Sequence, residues 1–233
     1  MSQKINKAGF TVMELMIAIS VLAIILLISS TVLVGIGNLY SKGDNLAKVQ
    51  DTTRNIVESA VSAVQFSGTL LNNGASTRPI IYTYATSYGN VVVSAFCFGQ
   101  NRYSFVTGLN FPTGWPHILW LDKISSTGSC EPLNLSLPNP TCTDGTYNCT
   151  QLGSGSDLIG PNMHLATFDI IQYNPKLYGI SVGVAFGAEN MFVYNNNSPV
   201  IINGNYQCSN SAGQQYCATS YLETFAAERL TQQ

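Results

Sequence analysis

The chain has 233 residues, with 10 Lys+Arg against 12 Asp+Glu, a formal net charge of −2 and only 9% charged residues, where soluble domains ordinarily carry roughly 25%. Its 45% hydrophobic residues, with 10 Phe and 12 Tyr, are enough for a real core, which excludes a solvated tail or linker. Clustered Lys and Arg are missing, so direct nucleic-acid binding is not expected.

Met1 to Gly9 is a short polar leader with Lys4 and Lys7 as its only charges, which the positive-inside rule keeps in the cytoplasm. From Leu15 to Val34, twenty consecutive residues hold no charge, Pro or Gly, and their only polar members are Ser20, Ser29, Ser30 and Thr31. As a helix this run is about 30 Å long, enough to span a bilayer core. A cleaved secretory signal is the alternative, but Gly35-Ile36-Gly37-Asn38 after the run lacks an Ala-x-Ala pattern. Glu14 stands alone in the apolar stretch that begins at Phe10. A carboxylate at the edge of hydrocarbon is costly enough that a partner is expected; the plainer reading is a side chain that snorkels to the headgroups.

The string Lys7-Ala8-Gly9-Phe10-Thr11-Val12-Met13-Glu14-Leu15 resembles the type IV prepilin signature, in which a basic leader ends in Gly, Phe follows, and Glu stands fifth in the mature chain. By that resemblance a prepilin peptidase cuts between Gly9 and Phe10 and methylates the new amine of Phe10, and the apolar helix stays in the mature protein. The Phe10 ammonium of one subunit then meets the Glu14 carboxylate of a neighbour, which neutralises two charges that are costly apart. The resemblance implies a single-pass membrane precursor with its head outside, then an extracellular helical homopolymer built on an assembly platform with minor pilins. Type II secretion pseudopilins and competence pilins carry the same segment.

From Asn38 to Gln65 no Pro occurs, and Leu39, Leu46, Val49, Ile56, Val57, Ala60, Val61 and Val64 recur at three- and four-residue steps, an amphipathic continuation of the first helix. Asp44 with Lys48 and Arg54 with Glu58 lie at i,i+4 on its polar side. The weak points of the helix are Gly35, Gly37 and Gly43, where local loosening is conceivable on propensity grounds. Beyond Gly68, β-branched and aromatic runs predict strands at Ile80 to Ala85, Val91 to Phe98, Tyr103 to Thr107, Ile118 to Asp122, Thr167 to Tyr173, Tyr178 to Phe186 and Met191 to Tyr194. Tyr88-Gly89-Asn90 and Gly99-Gln100-Asn101 read as turns. The fold class is α+β: a long N-terminal helix packed on a mainly antiparallel head with disulfide-bonded loops. The divisions are leader 1–9, membrane and assembly helix 10–37, amphipathic helix 38–67 and head 68–233.

Six Cys in a region expected to face outward favour disulfides. The spacings Cys142-x6-Cys149 and Cys208-x8-Cys217 suggest two local loops and leave Cys97 for Cys130, although fifteen connectivities are open. Ser125 to Gly160 reads as an excursion pinned by its Cys. No C-x-x-C pair occurs and His117 and His164 are remote from the Cys, so neither a metal nor another cofactor is expected. Leu177-Tyr178-Gly179-Ile180-Ser181-Val182-Gly183-Val184-Ala185-Phe186-Gly187, the Cys208 loop, Tyr216-Cys217-Ala218-Thr219-Ser220 and the Leu222 to Leu230 run resemble the C-terminal half of pilin-like proteins from ultrasmall, host-attached bacteria. No catalytic constellation emerges, so the chain is not read as an enzyme: the His lack a nucleophile motif, Asp144-Gly145 and Asp157 suit turns, and Trp115 and Trp120 around His117 suit a core. Sequons at Asn134, Asn148 and Asn196 are short, unspecific patterns. The leading reading is a filament subunit for attachment, motility or DNA uptake. Against it stand a secretion pseudopilin and a monomeric, membrane-tethered binding module.

Overall fold

In the computed structural model, the structure describes residues 11–66, 70, 79–86, 89–109, 117–124, 130–136, 155–174, 176–196, 198–209 and 216–229. The chain divides into two compact units at Ser41/Lys42, and α1, Val12–Phe66, contributes to both. In the first unit, every residue from Thr11 to Tyr40 is exposed. A helix apolar on all sides and left exposed among the described residues needs a nonpolar surrounding from elsewhere. No break occurs at Gly35, Gly37 or Gly43, and a Cβ added at any of the three would meet no atom within 4 Å.

In the second unit α1 turns one face inward, burying Asn45, Val49, Thr53, Ile56, Val57, Ala60, Ala63 and Val64. The spacing is that of a helix stripe. Thr53 is tolerated there because its hydroxyl donates to the Val49 carbonyl at 2.7 Å, which leaves no unmet polar group. Leu46 and Leu39, expected on this stripe, are 37% and 72% exposed. Lys48 pairs with Asp44 at 2.6 Å; among the described residues Arg54 and Glu58 form no ion pair.

The described strands make two main antiparallel sheets. One has the order β1 (Ile80–Thr86), β2 (Gly89–Phe98), β3 (Asn101–Phe105), β4 (Leu119–Lys123), β5 (Ser156–Asp157). The β2–β3 turn works because Gly99 takes φ 54°, a conformation glycine adopts without penalty. Further along the chain come β6 (Met163–Asn174), β7 (Leu177–Phe186), the pairs β8 (Tyr194–Asn195) with β9 (Ser198–Pro199) and β10 (Ile201–Ile202) with β11 (Asn205–Tyr206), and β12 (Ala218–Ala227). The second main sheet has the order β12-β7-β6. Phe96, Phe98, Tyr103 and Phe105 from the first sheet meet Phe168, Ile170, Ile180 and Val182 from the second and Val49, Ile56 and Ala60 from α1 in one core. Phe168 stands edge-on to Phe105 at 5.0 Å and to Phe96 at 5.7 Å, the preferred arrangement of ring quadrupoles. Each fully buried side chain of this size contributes roughly 1.5–3 kcal/mol.

The segment 130–136 lies across the other face of the first sheet. Cys97–Cys130 bonds it to β2, and Arg102 donates to the Glu131 carbonyl at 2.8 Å. Tyr84 donates to the Pro132 carbonyl and the Leu133 amide to Ser104 Oγ at 3.0 Å. Leu133 and Leu135 are buried against Tyr84, Val93 and Val106. Beneath it the Arg102 guanidinium forks onto both Asp122 carboxylate oxygens, the geometry that makes a buried pair tolerable.

Three expectations change. Gly89 and Asn90 are strand residues of β2, paired with Thr86 and Ala85. Met191 to Tyr194 is no strand: Glu189–Met191 form a 3₁₀ turn, closed by the Phe192 amide on the Glu189 carbonyl at 3.2 Å, and Tyr194 only begins β8. The edge strand β12 was not among the expected strands, because its weakly alternating Ala, Thr, Ser and Glu hide its period.

Candidate functional site

Glu14 sits one turn into α1, and Thr11 precedes the first helical residue. The Thr11 amide and hydroxyl each donate to Glu14 Oε2 at 2.9 Å, and the Glu14 amide donates back to Thr11 Oγ1 at 3.3 Å. The Thr11 carbonyl accepts from the Leu15 amide at 3.2 Å. This reciprocal pattern is a capping box, which satisfies amides that the first turn of a helix otherwise leaves orphaned. Its signature in the sequence is Thr11-x-x-Glu14 ahead of an apolar run, a role for Glu14 beyond the expected ion pair. Gly9 and Phe10 lie outside the described residues.

The Cys fall into two groups. Cys97–Cys130 and Cys208–Cys217 are disulfides, each with Cα atoms 5.9 Å apart, so these four sulfurs are not available as thiolates for a metal. Cys142 and Cys149 lie outside the described residues. The Cys208–Cys217 bond anchors the start of β12 and, with Lys42, Leu46 and Thr219, lines a cavity of about 190 Å³.

The two His have different structural partners. His117 Nδ1 is 2.9 Å from Asp157 Oδ2 and its ring stands 4.7 Å from Trp120. Asp157, expected in a turn, is therefore a strand residue of β5 tied to the edge of β4. Burial pushes its carboxyl above the ordinary range, and the His117 contact opposes that shift. His164 Nε2 lies 3.0 Å from the Gly187 carbonyl; a carbonyl only accepts, so this nitrogen carries the proton. Its Nδ1 is buried without a partner. Burial pushes the imidazole below its ordinary pKa, against smaller raising effects of the Gly187 contact and the Glu189 charge. Asn134 is buried and its side chain accepts from the Ser136 amide and hydroxyl, a local turn role. Asn196 is exposed at φ 49°. Trp115, Asp144 and Asn148 lie outside the described residues.

Residues 4–30 match the prokaryotic N-terminal methylation motif. That motif, leading into one long apolar N-terminal helix packed farther along on antiparallel sheets, fits a type IV pilin-like or pseudopilin-type protein, a class of structural subunits. It also fits a membrane-anchored precursor. No curated protein and no solved structure gives a significant match to the chain.

Proposed function

We propose that the chain is a structural subunit of a type IV pilus-like extracellular filament serving attachment, motility or DNA uptake. The observation that carries the reading is the methylation motif at residues 4–30 running into a helix whose side chains are exposed from Thr11 to Tyr40. So much apolar surface is stable only in lipid or against other apolar helices. The lipid phase corresponds to the membrane precursor and the helical phase to the polymer. Prepilin peptidase would cut between Gly9 and Phe10 and methylate Phe10, and the assembly platform with minor pilins would extract the subunit. In the polymer the Phe10 ammonium of one copy would face Glu14 of the next.

The test is mass spectrometry of protein sheared from the cell surface. The expected chain begins at Phe10 with one added methyl group and is abundant in the sheared fraction, and Gly9→Leu abolishes both. An intact Met1 terminus on surface material sinks the assignment. A processed chain held wholly in the membrane replaces the pilus with a short secretion pseudopilus or a tethered module.

A further inference from the structure

β7 runs between β6 and β12, and its residues Ile180, Val182 and Val184 are fully buried in the core shared with α1. Strand alternation sends Gly179, Ser181, Gly183 and Ala185 to the opposite face, and all four are small. Gly183 and Ala185 are buried beneath the β10–β11 hairpin: a carbon added at Gly183 would lie 2.1 Å from the Gly204 carbonyl oxygen, and Ala185 packs with Tyr206. Gly179 is buried for a different reason. The rings of Tyr173 and Phe225, 5.6 Å apart, fold over it, so that an added carbon would lie 2.6 Å from Tyr173 Cε2 and 3.5 Å from Phe225 Cε1. Of the four, Ser181 alone is not buried, being partly accessible to solvent.

The register places Asp169 on β6 and Glu223 on β12 directly across from Ser181, one on each side. The next row on one side is Ile171, Gly179 and Phe225, and on the other Thr167, Gly183 and Tyr221. Strands about 4.8 Å apart put the two carboxylate-bearing backbones roughly 10 Å from each other. The result is a trough with a serine floor, a carboxylate on each wall, aromatic rings at one end and the hairpin with Tyr221 at the other. The outward edges of the rings stay free, with Tyr173 57% and Phe225 59% exposed.

We propose that this trough receives a basic side chain, arginine or lysine, presented by a partner protein. The inference stands independently of how the chain assembles. Charge complementarity selects the occupant: no Lys or Arg stands in the three rows, and ionised carboxylates only accept hydrogen bonds. Ring faces attract cations through their quadrupole. Asp169 Oδ1 accepts from the Ile170 amide at 3.0 Å and Glu223 Oε2 from the Tyr221 hydroxyl at 3.5 Å, so a guanidinium between them makes charge-assisted contacts with the remaining carboxylate oxygens and lays its plane or its stem against Phe225 and Tyr173.

The experiment is saturation-transfer NMR on the full-length chain in detergent micelles, with N-acetyl-arginine amide and N,N′-diacetylchitobiose as probes. The arginine derivative is expected to bind, and its affinity should fall about tenfold in the isosteric Asp169→Asn/Glu223→Gln variant, the loss that follows from removing charge-assisted contacts. A similar fall is expected in about 0.5 M salt, where exposed charges are screened. Phe225→Leu, which leaves the charges alone, should weaken binding through the lost ring face. Intact Cys208–Cys217 and unchanged circular dichroism establish that each variant is folded. Three results overturn the proposal: no arginine signal with the wild-type chain, arginine binding unchanged in the charge variant, or preferential binding of the disaccharide.

Discussion

Glu14 has two chemical occupations available, and they make different demands on its side chain. The bonds from Thr11 to Oε2 need an acceptor at the third helical position, which Gln also supplies. Pairing with a neighbour's Phe10 ammonium needs the charge. Glu14→Gln should therefore leave the helix start intact while lowering the yield of sheared filaments, and Glu14→Val should abolish filaments while still giving a processed, membrane-inserted chain. Thr11→Val, which removes the hydroxyl but keeps the carboxylate, should retain most of the yield. Full yield from Glu14→Gln would assign the carboxylate to capping alone. His164 carries a second residue-scale expectation. The folded state holds its imidazole neutral, so the unfolded chain takes up a proton first. Its contribution to stability is fully present above the ordinary pKa of 6.5 and is lost as pH falls from there towards the folded value. Thermal unfolding of the full chain in detergent should show a midpoint that drops between about pH 7.5 and 5.5, with a shallower drop in His164→Gln. Equal slopes would mean that other groups set the acid response; Asp157 and Asp169, whose carboxyls burial raises, act with the opposite sign at more acidic pH.

At the scale of elements, α1 owes its place in the second unit to a narrow stripe. Ile56 is fully buried in the shared core, and Ile56→Ala should lower head stability by about 2–5 kcal/mol through lost transfer energy and the cavity left behind. Glu58→Ala on the exposed side should stay within about 0.5 kcal/mol. The measurement is cooperative thermal unfolding followed by near-ultraviolet dichroism. Membrane insertion should be the same for both, and an Ile56→Ala chain as stable as wild type would refute this packing. The stripe was legible where it was apolar, at Val49, Ile56, Val57, Ala60 and Val64, since spacing alone reveals those positions. Asn45 and Thr53 were not legible, because apolar spacing passes over polar residues, even one such as Thr53 that its own helix satisfies through the Val49 carbonyl. The strands β1 to β4, β6 and β7 announced themselves through aromatic and β-branched runs. β12 did not, and neither did the Asp157 contact with His117, forty residues away in sequence. Register between remote strands has no local signature.

For the whole molecule, little of the stability comes from charge. A chain with 9% charged residues keeps the ion pair of Arg102 with Asp122 buried under the 130–136 segment, and its described residues otherwise hold together by aromatic packing and two covalent staples. The apolar N-terminal segment was legible in outline because twenty uncharged residues admit few explanations. The trough on β7 was not, since Gly179, Ser181 and Gly183 acquire meaning only when Asp169 and Glu223 are brought alongside.

The staples also bear on mechanics. Cys97–Cys130 spans 33 residues and Cys208–Cys217 spans 9. At about 3.3–3.6 Å per extended residue, these loops withhold roughly 110 Å and 30 Å of contour from any pull on the chain ends. A subunit under tension in a fibre would thus have two stretches that cannot unravel even after their hydrogen bonds shear. A head stapled in this way can pay out about 140 Å less chain than an unstapled one, so a failure of its packing would lengthen the fibre by that much less before the load passes to the next subunit.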